Sequence, residues 1–381
     1  MALPLLSLVM IVKNEAANIV AVLDSVRDTV DRIDILDTRS TDGTPDLIRK
    51  WMADTGVPGE VYSEDFIDFG RTRNRSLELA KPHSIFSLIL SGDEYVTGGP
   101  LIREYLRSAP PCGAYNIKLL YGNLAWDSPR IVRNSDGWRY AGVVHEVLMG
   151  PPGVPASPYR TPFPATSITH RDADPQRKND RRYTDLMLLH KMHENAPRDA
   201  RTAFYLAQTL GELGFCGEGI AIYKRRIELG GWQEEVYESM FRIGVLSDRG
   251  GKPWAESQQR FLEAYLHSPH RAEPLFAIAM HYYLAKDWPL TFLFAHAGSE
   301  IPFPVNASLF VQPDVYRYQL HDLVAISGFY LGPREKKAGA RSARIVANEH
   351  PNDVRAAKNL ELYRTMRPVD HRIGFDLAAT G

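Results

Sequence analysis

Three short polar clusters each follow an apolar run that reads as a strand. Lys13-Asn14-Glu15 follows Leu6 to Val12, Asp37 follows Ile33 to Leu36, and Ser91-Gly92-Asp93-Glu94 follows Ile85 to Leu90. In open α/β sheets ligands bind outside the carboxyl ends of the strands, so three such ends can converge on one crevice. Carboxylates and amides gathered there suit hydrogen bonding to a nucleotide or coordination of a hard cation. The plain alternative for any single cluster is a loop that happens to be polar.

The elements needed to position those clusters are legible around them. Leu6 to Val12 is continuously apolar, the pattern of a parallel strand buried on both faces. Ile19, Val22, Leu23 and Val26 fall at helical spacing within 16–28. Ser40-Thr41-Asp42 precedes a helix expected from Pro45 to Met52, with proline in its first turn. Val61 and Tyr62 suggest a third strand and Arg71 to Ala80 a further helix. The β-α-β-α-β order predicts a doubly wound α/β layer. Ala114 to Leu120, Arg130 to Arg133 and Val143 to Leu148 read as antiparallel strands. A proline-rich loop from Pro151 to Pro164 precedes a strand at Thr166 to His170. Arg171 to Asp180 reads as a polar loop leaving the first domain.

Beyond Arg181 the pattern is helical and periodic. FYLAQTL, MFRIGVL and FAIAMHY begin at Phe204, Met240 and Phe276, each 36 residues after the last. A second helix follows each, at Gly219 to Leu229, Trp254 to His267 and Pro289 to Ala297. A helix pair repeating at about 34 residues is the tetratricopeptide (TPR) pattern. Ala207, Gly244 and Ala279 are small residues suited to close helix packing. Further helices are expected at Val315 to Tyr330, Gly339 to Asn348 and Val354 to Met366. The expected division is therefore 1–180, 181–366 and a tail at 367–381.

Composition narrows the function. The chain has 381 residues, room for about two domains. Its 45 Lys and Arg against 46 Asp and Glu give a net charge of −1, which argues against a general nucleic-acid binder. With 44% hydrophobic and 24% charged residues it is an ordinary folded composition. Two cysteines, Cys112 and Cys216, are too few for a disulfide framework or a four-thiolate zinc site, so a cytoplasmic setting is expected. No stretch reaches ~18 apolar residues, and the short apolar N-terminus is expected to be a buried strand rather than a membrane span or leader. No GxGxxG or Walker-type loop is present, which disfavours dinucleotide redox chemistry and NTP hydrolysis. The histidines are scattered without zinc spacing. Asn306-Ala307-Ser308 matches a glycosylation acceptor string that a cytoplasmic chain would not use.

The strings LSLVMIVKNE, ILDTRSTDGT, RTRNRSLELA and LILSGDEY, in this order and spacing, resemble a family 2 glycosyltransferase of the GT-A fold. The resemblance covers about residues 5–180, and GGWQEEVYESMFRIG, HRAEPLFAIAMHYY and IPFPVNASLFVQPDVY are similar to the helical region of one of its subfamilies. It implies a GT-A mixed sheet followed by an all-α TPR-like domain. It also implies a UDP-sugar donor, Mn²⁺ or Mg²⁺, and inverting transfer to an acceptor hydroxyl, with glucose the sugar expected.

On that resemblance Asp37 accepts from uracil N3–H, the alternative being a turn or cap. Arg73-Asn74 addresses the donor, the alternative being a solvated helix face, and Arg71 is a weaker candidate. Val12, Asn14, Glu15, Arg39, Ser91 and Gly92 complete the donor cradle. Asp93 is the metal-contacting carboxylate. Ser91 replaces the first Asp of the family's Asp-any-Asp motif, which admits a second reading: a degenerate domain acting as an interaction protein on a TPR scaffold. Glu146 is the expected general base, with Asp127 in reserve, and His145 contacts donor or acceptor. His170 is expected to join Asp93 on the metal. Arg171, Arg177, Lys178, Arg181 and Arg182 could close over the leaving group, or form a solvated linker. The helical repeats are the expected dock for a protein or peptide acceptor. A nucleotidyltransferase, releasing pyrophosphate, is a minor further reading. Oligomeric state is left open.

Overall fold

The computed structural model describes residues 3–108, 113–121, 124–151, 167–170, 175–307 and 309–365. The chain divides into two units, Met1–Met192 and His193–Gly381. That division falls inside a helix, later than residue 180.

In the first unit, β1 (Leu6–Val12), β2 (Arg32–Asp37), β3 (Gly59–Ser63) and β4 (Phe86–Leu90) are parallel. Three helices connect them: α1 (Ile19–Val26), α2 (Thr44–Thr55) and α3 (Phe69–Ala80). Then come β5 (Glu94–Thr97), α4 (Gly99–Ser108), β6 (Ala114–Tyr121), β7 (Leu124–Arg133), β8 (Arg139–Ala141), β9 (Val147–Met149) and β10 (Ser167–His170). The eight-stranded sheet runs β3-β2-β1-β4-β7-β6-β10-β5. β7 is antiparallel to β4, and β5 antiparallel to β10, so the sheet is mixed. The apolar runs of β1, β2 and β4 are buried because helices cover both faces, with Leu8, Ile33 and Leu88 inaccessible to solvent. Strand order reverses between β1 and β4, so their carboxyl ends open a crevice.

Several local expectations are corrected. Val143 to Leu148 is not one strand. Residues 142–146 form a loop, and the two-stranded β8–β9 sheet stands outside the main one. The backbone at His145 is left-handed (φ 52°), which a strand cannot hold. Residues 175–180, expected in a loop, open helix α5 (Pro175–Asn195), where Pro175 suits the first turn. The proline-rich stretch at 152–166 and the tail from 366 lie outside the described residues.

The second unit is helical. α6 (Ala200–Glu212) and α7 (Cys216–Leu229) form a hairpin, as do α8 (Gln233–Arg249) with α9 (Trp254–His267) and α10 (Glu273–Leu284) with α11 (Trp288–Ser299). A π-helical turn (Val315–Gln319) leads into α12 (Leu320–Phe329), followed by α13 (Pro333–Glu349) and α14 (Val354–Thr365). The 36-residue period appears as the first helices α6, α8 and α10. Its small residues do what the spacing implied: a Cβ on Gly244 would stand 2.7 Å from the Phe261 ring.

Candidate donor site

The crevice floor is two loops laced together. The Asn14 amide donates to Ser40 Oγ (2.8 Å), and Asn14 Oδ1 accepts from the Thr41 amide (2.8 Å). The Glu15 amide donates to Thr44 Oγ1 (2.8 Å) and the Ala16 amide to Asp42 Oδ2 (2.9 Å). Val12 takes part through its carbonyl, which accepts from Thr38 N and Oγ1, both at 2.9 Å. Burial pushes the Asp42 carboxyl up, but the Thr44 hydroxyl and surrounding amides outweigh it and hold the group below its ordinary value. Much of the motif is thus scaffold: Asn14, with φ 54°, pins β1's loop to β2's.

Asp37 ends β2 and is 2% exposed. Its Oδ2 accepts from the Ser40 amide (3.0 Å), while its Oδ1 is buried with no hydrogen-bond partner among the described residues. A buried acceptor left unpaired costs about 1–3 kcal/mol, so Asp37 Oδ1 is open to a donor from a bound ligand or water. Arg39, beside it, is exposed and turns to Asp65 Oδ1 (2.8 Å) and Ser63 Oγ (3.3 Å).

The 91–94 turn closes on β1's loop. A Cβ on Gly92 would lie 2.4 Å from Glu15 Cδ, so a larger residue would have to push aside the Glu15 side chain, which is buried beneath it. Glu94 is fully buried. It accepts from the Ser91 amide (2.7 Å) and is gripped by Arg130, with Nη2 to Oε1 at 2.7 Å and Nη1 to Oε2 at 3.2 Å. Sequence reading missed this pair. Arg130 is the extra residue of a β-bulge in β7, where Tyr115 faces Ile131 but Asn116 faces Pro129. A bulge re-aims the side chain it carries. Its one visible signal was a carboxylate, Glu94, placed directly at a strand start. Asp93 itself is half-exposed, and its carboxylate has no partner among the described residues. The β5–β10 register sets His170 opposite Glu94, one residue from Asp93. The His170 and Lys178 side chains lie outside the described residues. No group of three His, Cys, Asp or Glu among the described residues could hold a metal ion.

The 142–146 loop docks on the start of α3. Phe69 N donates to Val143 O (3.1 Å), and a Cβ on Gly70 would be 2.1 Å from Gly142 O. This brings Arg73 Nε to 2.6 Å from Glu146 Oε1, with both side chains largely buried and the guanidinium 5.5 Å from the Tyr140 ring. Glu146 Oε2 has no partner among the described residues. Asn74 instead binds backbone: its Nδ2 donates to Tyr140 O (2.9 Å) and its Oδ1 accepts from Tyr140 N (2.7 Å). Arg71 is exposed, 3.5 Å from Asp68. Arg181 is also exposed, and its guanidinium lies 5.1 Å from the Phe69 ring. Asp127 is exposed on β7, beyond the last residue paired with β4. His145 is exposed in the docked loop.

Residues 7–95 match the family model described as Glycosyl transferase family 2. That match covers the first four strands of the first unit, whose mixed sheet resembles the GT-A type and is followed by a helical unit of TPR-like hairpins. No curated protein matches the chain. Among solved structures it is similar to S. aureus TarS 1-349 in complex with UDP-GlcNAc, at 13% identity over 94% of this chain and 91% of that one, with a TM-score of 0.33. It is similar to YrrB, a TPR protein with an unusual peptide-binding site, at 14% identity over 46% and 81% with a TM-score of 0.34. Glucosyl-3-phosphoglycerate synthase from Mycobacterium tuberculosis, in complex with Mn²⁺, UDP and glucosyl-3-phosphoglycerate, is 24% identical over 32% and 45% with a TM-score of 0.24. All three superpositions are loose. No described helix is long and apolar enough to cross a membrane.

Proposed function

We propose that the first unit transfers a hexosyl group, glucose being the expected sugar, from a UDP-sugar to an acceptor hydroxyl on a protein or peptide, with inversion. The observation that carries this reading is the buried, unpartnered Asp37 Oδ1 at the end of β2, a ready acceptor for uracil N3–H. On the other side of β1 in the sheet, the 91–94 turn presents the Asp93 carboxylate, without a partner among the described residues, at the β4 end. Asp93 and His170 are the residues that would hold a divalent ion, and two protein ligands plus diphosphate oxygens is a usual Mg²⁺ or Mn²⁺ arrangement. Such an ion would neutralise charge on the departing diphosphate.

The acceptor oxygen bonds to the anomeric carbon as the bond from that carbon to the diphosphate oxygen breaks. UDP leaves with the bonding electrons, and the hydroxyl proton passes to Glu146 Oε2. Arg73 fixes the orientation of Glu146 by holding its other oxygen. Glu94 and Arg130 hold the Ser91–Asp93 turn in place.

The test is UDP release by the full chain from UDP-glucose, UDP-galactose and UDP-N-acetylglucosamine, with and without Mn²⁺. Slow hydrolysis of at least one donor, lost in Asp93→Ala at an unchanged melting temperature, is expected. Failure of every UDP-sugar to bind or turn over, or a silent Asp93→Ala, would leave the degenerate-scaffold reading. Pyrophosphate in place of UDP would indicate nucleotidyl transfer.

A further inference from the structure

The helical repeats have short turns between helices except in one place. From α11 to the helical turn at 313–319 the chain runs through residues 300–307 and 309–312 without regular structure, and connections of this length in a compact array are usually functional. Its 309–312 stretch lies across the first helices of three successive hairpins. The Leu309 amide donates to Glu234 Oε2 on α8 (2.5 Å), and the Gln312 amide to Glu273 Oε1 on α10 (3.2 Å). Arg271 Nη1 donates to Leu309 O (3.3 Å) and Nη2 to Phe310 O (3.5 Å). The Phe310 ring stacks on Phe204 of α6, centroids 6.4 Å apart, with the Arg242 guanidinium 5.8 Å from its centre. Leu309 packs on the Phe204, Tyr223 and Leu246 cluster.

Four of these main-chain contacts are of the kind a groove makes to a peptide: charged side chains on the Leu309 and Gln312 amides and on the Leu309 and Phe310 carbonyls, with one aromatic contact for register. Yet the ligand is the chain itself. Two features mark it as a displaceable one rather than another core element. Phe310 remains 41% exposed, and its backbone is left-handed (φ 49°), an uncommon conformation for a non-glycine residue.

We propose that residues 309–312 are an intramolecular ligand of the repeat groove. A polypeptide partner is read there by two main-chain amides, two carbonyls and one aromatic side chain, and gains the groove only by displacing Leu309 to Gln312. This does not depend on the glycosyl-transfer reading. It alters the expectation that the repeats offer an open dock, because the Phe204, Glu234 and Arg271 positions are already engaged.

The probe is a synthetic fluorescent peptide of residues 302–314, titrated by anisotropy into the full chain and into Leu309→Ala/Phe310→Ala. A tethered ligand competes at an effective concentration of about a millimolar, so the double variant should bind the peptide at least about tenfold more tightly than the wild type. A peptide carrying the same two alanines should bind neither. Equal binding to both proteins, or no binding to a variant that melts as the wild type does, would overturn the proposal. Should the variant not fold, hydrogen exchange on the wild type decides. The Leu309 and Gln312 amides should exchange at least about tenfold slower than in the free peptide and speed up when the peptide is added in excess. Unprotected amides, or amides indifferent to the peptide, would sink the idea.

Discussion

Buried charge is handled differently in the two units. In the helical unit each buried carboxylate is answered by arginine: Glu235 by Arg226 (2.9 Å), Glu273 by Arg271 (3.0 Å) and Glu238 by Arg242 (2.6 Å). In the α/β unit Glu94 is answered in the same way by Arg130, but among the described residues Asp37 buries an oxygen with no partner and the Asp93 carboxylate has none. A satisfied buried ion pair holds a fold in register. An unsatisfied acceptor at the end of a strand costs stability, and it persists where a ligand repays the cost.

The comparison breaks most visibly at Arg271. Arg271→Met leaves Glu273 buried without its cation and removes the donors to the Leu309 and Phe310 carbonyls, so the helical unit should lose about 3–5 kcal/mol, read by urea unfolding. A loss under 1 kcal/mol would mean the pair is not structural.

Glu94→Gln tests whether the α/β unit's own satisfied pair behaves alike. It keeps an acceptor for the Ser91 amide but leaves Arg130 without its anion. A loss of about 1–3 kcal/mol is expected, together with weakened UDP release because the 91–94 turn is no longer held.

Asp37→Asn should reverse the pattern. The Ser40 amide keeps its acceptor, so melting should move little, whereas UDP affinity measured by calorimetry should fall about tenfold or more with loss of the uracil acceptor. Lost stability with unchanged UDP affinity would place Asp37 among the structural charges.

The smallest effect is one of pH. Burial holds the His321 imidazole below its ordinary value, outweighing the opposing pull of Glu300. The folded state therefore resists protonation more than the unfolded chain does. The contribution is intact above the ordinary histidine pKa of about 6.5 and is lost as pH falls through the lowered one. The helical unit should melt about a degree or two lower at pH 5 than at pH 7, and His321→Gln should shrink that difference.

The architecture of both units was legible because it is written in periodicity, which is local. Continuous apolar runs fixed the buried parallel strands, and the 36-residue step fixed α6, α8 and α10. The order of polar strand ends placed Asp37 and Asp93 on one edge before any contact was known. Tertiary structure decided which polar residues remain available. The Asn14 and Asn74 side chains, candidate donor contacts in sequence, hydrogen-bond neighbouring backbone, and the hydrogen bond of Arg73 to Glu146 joins residues 73 positions apart. The bulge that aims Arg130 at Glu94, and the groove filled by Leu309 and Phe310, left no periodic trace. Whether a carboxylate is satisfied depends on which distant segment the register brings within about 3 Å of it, and no spacing along a single chain encodes that.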